Sequence, residues 1–124
     1  MCADSSREKG ARGEEVARKY LVAEGIKILD VNFHARRGEI DIVARDGDTI
    51  VFVEVKAATH TSFGDPLTWI PSWKQERIIK ASMVYLKAKG LTDSPLRFDV
   101  IAVEPDRKVF HVRDAFRPGD SFSL

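Results

Sequence analysis

The chain has 124 residues, 20 Lys and Arg against 19 Asp and Glu, a formal net charge of +1, and one cysteine. That length suits a single domain over 1–124, with 1–5 and 117–124 expected to be flexible, and the near-zero charge excludes a global field toward a polyanion, so any basic surface is local. Lone Cys2 excludes an internal disulfide and a Cys-based zinc site, while the polar start MCADSSREKG and the lack of a long apolar run argue against a secretion signal or a membrane partner, so a cytoplasmic protein is expected.

The first element reads as a helix from Ser6 to Glu24. Val16, Ala17, Tyr20 and Leu21 form its apolar stripe, and Gly25 supplies the stop. Gly10 and Gly13 weaken its first turns by about 1 kcal/mol each relative to alanine, but they let another backbone come close. Glu14 lies one turn from Ala17 and two from Leu21, so it borders the stripe. A carboxylate there needs a partner or an ion, unless it leans out to solvent. A strand follows from Ile26 to Phe33, with Ile26, Ile28 and, further on, Val31 inward. Asn32 to Arg37 is a polar connection that carries Arg36-Arg37.

Gly38 to Ala57, GEIDIVARDGDTIVFVEVKA, reads as a hairpin closed by Gly47-Asp48. A two-residue, glycine-first loop sets Ala44 opposite Val51, Ile42 opposite Val53 and Ile40 opposite Val55 on one apolar face. The other face opposes Glu39 to Lys56, Asp41 to Glu54 and Val43 to Phe52. Like charges directly opposed across a sheet destabilise it, so Asp41 and Glu54 call for something positive between them. Two carboxylates with a lysine nearby suit a hard divalent cation. Ordinary cross-strand ion pairs on a solvated face, chiefly Glu39 with Lys56, are the alternative.

Ala57 to Ile70 reads as a long loop anchored by Phe63 and Trp69; His60 is given no role. A second helix runs from Trp73 to Lys89, with a Ser72–Gln75 capping box and Gly90 as the stop. Its inward stripe is Ile78, Ile79, Ser82, Tyr85 and Leu86. Gln75 falls within that stripe, which fits either the cap or a functional amide. Trp73, Arg77, Lys80 and Lys87 share the other face. Leu96 to Glu104 and Lys108 to Arg113 read as an antiparallel strand pair, and Phe116 is expected to dock from an irregular tail. The order αβββαββ implies an α/β fold with a mixed central sheet flanked by helices.

The segments GARGEEVARKYLVAEG, NFHARRGEIDIVARDG, VFVEVK, FGDP, WKQERIIKASMVYL and RFDVIAV resemble the YraN family of small bacterial proteins. That family is similar to the restriction-endonuclease-like, or PD-(D/E)XK, superfamily, and the likeness spans roughly Lys9 to Ile101. The superfamily motif maps onto Asp41, Glu54 and Lys56. The Holliday-junction-resolvase branch adds Glu14, and Gln75 matches a helical glutamine of related nucleases. By that resemblance Asp41 and Glu54 would hold Mg²⁺ or Mn²⁺. Lys56 would orient or deprotonate the attacking water and offset transition-state charge. Many members carry a basic residue where this chain has Ala58. Arg36, Arg37 or Lys74 would then grip phosphate instead, with Arg77 on the basic helix face. The resemblance implies a Mg²⁺-dependent endonuclease-like protein acting on nucleic acid, in the first place DNA, with no small-molecule cofactor. A dimer is compatible with it. Two other readings stay open: a nucleic-acid-binding module without turnover, and a protein-interaction domain with structural carboxylates.

Overall fold

A computed structural model describes residues 6–57 and 69–119. Cys2, Ala58, His60 and the FGDP segment with Phe63 lie outside them. The elements are α1 (Ser6–Ala23), β1 (Lys27–Ala35), β2 (Gly38–Asp46), β3 (Thr49–Ala57), α2 (Ser72–Lys89), β4 (Leu96–Val103) and β5 (Val109–Phe116). They form one sheet in the order β1-β2-β3-β4-β5. Every neighbouring pair is antiparallel except β3–β4, which is parallel. A parallel pair needs a crossover, and α2 lies on that connection. The fold is thus α/β with a five-stranded mixed sheet, in the expected order αβββαββ.

The two sheet faces hold two cores. Ala17 and Leu21 of α1 pack with Ile42, Ala44, Val51, Val53, Ile101 and Val103. Ile78, Ile79, Tyr85 and Leu86 of α2 pack with Val43, Ile50, Phe52, Phe98 and Val100. Period-two alternation on buried strands sends these sets to opposite sides. Both helices end as expected. Gly25 and Gly90 take left-handed φ values of 82° and 67°, and the residue after each donates back to Leu21 or Leu86.

Four details depart from the sequence expectation. Val31 is 37% exposed: a register shift between Ile28 and Asp30 sets it opposite Ile42 on the α1 side, but on the edge strand β1 it stays largely uncovered. The capping box does not form: Pro71 is the N-cap of α2 with no side-chain cap bond. The Gln75 amide instead donates to the Ile70 carbonyl at 2.8 Å. Ile40 joins the core beneath α2, away from Ile42. Finally, β5 runs on to Phe116, whose ring stacks on Phe98. A second register shift explains this extension. Asp114 has a φ of 53°, and its N–H donates to the Asp99 carboxylate at 3.0 Å. Burial would raise Asp99, but hydrogen bonds from His111, Arg97 and Asp114 outweigh it and hold the carboxyl below its usual range.

Gly38 starts β2 against the backbone of α2. A Cβ on it would stand 2.5 Å from the Arg77 carbonyl oxygen. Backbone cannot yield as a flexible side-chain tip does. Gly38→Ala should therefore lose about 1–3 kcal/mol of stability in urea denaturation, as overpacking does. At Gly13 the nearest atom is the Ala57 Cβ at 3.3 Å. Gly13→Ala gains up to about 1 kcal/mol of helix propensity against that contact and should be near neutral. Equal losses in both would show that the Gly38 approach is not what demands glycine.

Candidate metal and nucleic-acid site

The hairpin pairs in the expected register, from Asp46↔Thr49 through Ala44↔Val51 to Ile42↔Val53. Gly47 takes a φ of 60°, as a glycine-first turn requires. The ladder then stops. By the same register the Val55 N–H would look toward Ile40. It donates instead to the Asp41 carboxylate, Oδ2, at 2.8 Å. The side chain of Asp41 thus takes the place of a backbone acceptor where β2 leaves β3.

Glu54 is 6% exposed. Its carboxyl faces that of Asp41 closely enough to share a hydrogen bond when one of them is protonated. Burial, then the charge of Asp41, raises Glu54 to about 7 despite the Lys74 ammonium 2.7 Å away. Burial also raises Asp41, against the opposing pull of the Val55 N–H and of the Glu54 hydrogen bond. Glu14 reaches this group from α1. Partial burial and the Asp41 charge raise it, while Arg18 and a hydrogen bond to Asn32 oppose. Asp41 and Glu54 therefore come together from β2 and β3, and Glu14 on α1 lies near enough to Asp41 to feel its charge.

Lys56 does not join them as an ion-pair partner. Its ammonium donates to the Trp69 carbonyl at 3.4 Å. Lys56 and Gln75 thus hold the consecutive carbonyls of Trp69 and Ile70, just ahead of α2. The cation on Glu54 is Lys74, which the sequence had suggested for phosphate contact. Burial would lower Lys74, but the hydrogen bond and charge of Glu54, then Asp41 and Glu39, raise it. No sequence signal singles it out for Glu54, because the two meet only when α2 folds back over the sheet. The suggested Glu39–Lys56 pair is not formed, and Glu39 instead pairs with His34 at 3.1 Å.

Among the described residues no group of three or more His, Cys, Asp or Glu is arranged to hold a metal ion. Asp41 and Glu54 are hard oxygen donors, the first half-buried and the second buried, and the charge of Asp41 works against that of Glu54. That fits a cation such as Mg²⁺, which commonly takes one or two carboxylates and keeps several waters.

Beside this group, Arg36, Arg37, Arg77 and Lys80 line a cavity of about 610 Å³, with His34 and Glu39 at its wall. Three residues suggested for nucleic-acid contact, Arg36, Arg37 and Arg77, therefore share one cleft. Lys80 is a fourth member, noted in the sequence only as part of the basic helix face.

A carboxyl raised in the folded state stabilises the fold below its unfolded pKa and loses that contribution as pH rises through the folded value. For Glu54 the window runs from 4.5 to about 7. Metal-free protein should lose roughly 1–3 kcal/mol between about pH 5 and pH 8. Urea denaturation of Glu54→Gln should show most of that fall removed. Asp41→Asn, which keeps an oxygen for Val55, should be as stable as wild type or slightly more so at pH 8. Asp41→Ala should cost about 1–3 kcal/mol, because the Val55 N–H loses its acceptor. A large loss in Asp41→Asn would instead mark Asp41 as a structural ion-pair partner.

Residues 13–103 match Uncharacterised protein family UPF0102. A UPF0102 protein of Geobacter sulfurreducens is 45% identical over 111 residues, covering 86% of this chain and 87% of its own length. One from Clostridioides difficile is 40% identical over 113 residues, covering 90% and 99%. Among solved structures, Pyrococcus furiosus SfsA in complex with Ca²⁺ aligns at a TM-score of 0.39 and 15% identity; the match covers 89% of this chain and 64% of SfsA. With a family match across most of its length and relatives at this identity, the chain belongs to the UPF0102 family, the YraN group its sequence motifs resemble.

Proposed function

We propose that the protein is a metal-dependent, endonuclease-like protein that binds nucleic acid, in the first place DNA, and hydrolyses phosphodiester bonds, with Asp41 and Glu54 holding Mg²⁺ or Mn²⁺. The observation that carries this reading is the Asp41–Glu54 pair where the β2–β3 ladder ends, with Glu54 buried and raised to about 7. Buried, paired carboxyls with shifted pKa values favour a functional site over a structural one. When bound, such an ion supplies Lewis acidity toward a phosphoryl oxygen and offsets developing negative charge.

The chain's own residues supply the rest. Asp41 is fixed by the Val55 N–H, so its second oxygen is presented in a set direction. Glu14 adds negative charge from α1. Lys56 holds a positive charge on the same strand as Glu54, oriented by the Trp69 carbonyl, and serves where negative charge grows during hydrolysis. Gln75 fixes the neighbouring Ile70 carbonyl and so positions the entry to α2. Arg36, Arg37 and Arg77 contact the phosphate backbone from the adjoining cleft.

One observation favours a second reading, a nucleic-acid-binding module without turnover. Lys74 already neutralises Glu54 at 2.7 Å, as a structural cation would.

Two experiments separate the readings. Calorimetric titration with Mn²⁺ should show binding to wild type and none to Asp41→Asn; equal affinity would remove the metal site. In the same titration Lys74→Ala should bind Mn²⁺ more tightly, since the competing cation is gone. Metal affinity should also fall as pH drops below about 7, because Glu54 must give up its proton to bind.

Cleavage is the second experiment. On duplex, single-stranded and branched DNA with Mg²⁺ or Mn²⁺, Lys56→Ala should lose about 10²–10³ in rate. Its DNA affinity should stay within a small factor, because one phosphate contact is a modest part of a backbone footprint. No cleavage by wild type with either metal would leave the binding-module reading. Equal cleavage by wild type and Lys56→Ala would show the site is misassigned.

A further inference from the structure

The cleft between the β1–β2 turn and α2 holds an unusual amount of uncompensated charge. Ion pairs among the described residues join other groups, and none involves Arg36, Arg37, Arg77 or Lys80. Four cations lining one cavity repel each other in the free protein, and its one lining carboxylate, Glu39, is paired with His34. Such a concavity favours an anion.

Its rim adds a second, independent feature. Trp73 stands one helical turn before Arg77 and is 58% exposed, the largest exposed aromatic among the described residues. The Arg77 guanidinium lies over its ring at 5.1 Å from the centroid. Charge alone would serve any polyanion. An exposed indole beside a basic groove serves one whose units have a stacking face. Positive grooves with aromatic platforms are how proteins hold single-stranded nucleic acid. The size agrees: about 610 Å³ falls in the range of pockets that hold a small ligand, the scale of a single nucleotide unit.

We infer that this cleft binds an unpaired strand of nucleic acid, with phosphates on Arg36, Arg37 and Lys80 and a base stacked on Trp73. The inference rests on the reading that the protein binds nucleic acid, and it adds that the preferred form is single-stranded. The cleft lies directly beside the carboxylate pair. Gly38 and Glu39 of its wall lead into Asp41 along β2, and Lys74 and Arg77 are one turn apart on α2.

The test measures fluorescence anisotropy of a labelled oligo-dA strand and of a hairpin duplex with the same number of phosphates, over a salt series, without metal. Trp69 is buried, so quenching of tryptophan emission by the strand reports Trp73. Wild type should bind the strand more tightly than the duplex, with quenching. Trp73→Leu should weaken strand binding by about 5- to 150-fold, abolish the quenching, and leave duplex affinity and thermal midpoint close to wild type. The double variant Arg36→Ala/Arg37→Ala should reduce the salt slope for the strand by about 1.4.

Equal binding of strand and duplex, both unchanged in Trp73→Leu, overturns this inference and leaves the nucleic-acid reading intact. Salt-sensitive binding to neither form overturns both. Polyglutamate competing as well as the strand, with no effect of Trp73→Leu, assigns the cleft to an acidic protein segment and also overturns the inference.

Discussion

The site depends on one hydrogen bond, from the Val55 N–H to the Asp41 carboxylate. A sheet ladder satisfies backbone groups with backbone groups, and once two strands part each orphaned group needs another partner. Here β2 leaves β3 after Ile42↔Val53, and Asp41 closes the gap with its side chain. The bond compensates the cost of half-burying a carboxylate and fixes its direction. The parting of the strands also lets Ile40 turn into the core under α2 while Ile42 stays under α1. A carboxylate pair in a regular ladder would be a defect, whereas at a strand divergence one of its members has a backbone N–H to accept from.

Two close approaches then bring the helices onto that point. Gly13 lets α1 come down on Ala57, which carries the neighbouring Glu14 toward Asp41. Gly38 lets β2 abut the Arg77 carbonyl, which places the basic face of α2 beside the Arg36-Arg37 turn. The carboxylates and the arginine cleft are therefore positioned by the same small set of backbone contacts, one on each side of the strand that carries Asp41.

Much of this was legible in the sequence because it rests on local rules. The hairpin register follows from a two-residue loop and strict alternation, and the pairs from Ile42↔Val53 inward match it. The helix stripes and glycine stops follow from the 3.6-residue period and from left-handed φ. What escaped was tertiary. Ser72 and Gln75 have the spacing of a cap, but Pro71 starts the helix and Gln75 has the Ile70 carbonyl within reach. The extension of β5 is invisible because a register shift at the Asp99–Asp114 bond breaks the pattern that would reveal it. The Lys74–Glu54 pair depends on how a crossover helix settles. No residue pattern along one element carries that information.

The parallel β3–β4 pairing also sets how far along the chain the partners at the site lie from one another. Asp41 and Val55 are 14 residues apart on one hairpin, so their contact closes a short loop. Lys74 reaches Glu54 only after the chain has left β3, crossed over and docked α2. Loop-closure entropy grows with separation, and non-local contacts form against that cost. Asp41 and Glu54 therefore share one hairpin, whereas the cation on Glu54 comes from beyond the crossover. The Lys74–Glu54 pair thus also ties the first turn of α2 to β3, three residues beyond the Pro71 N-cap.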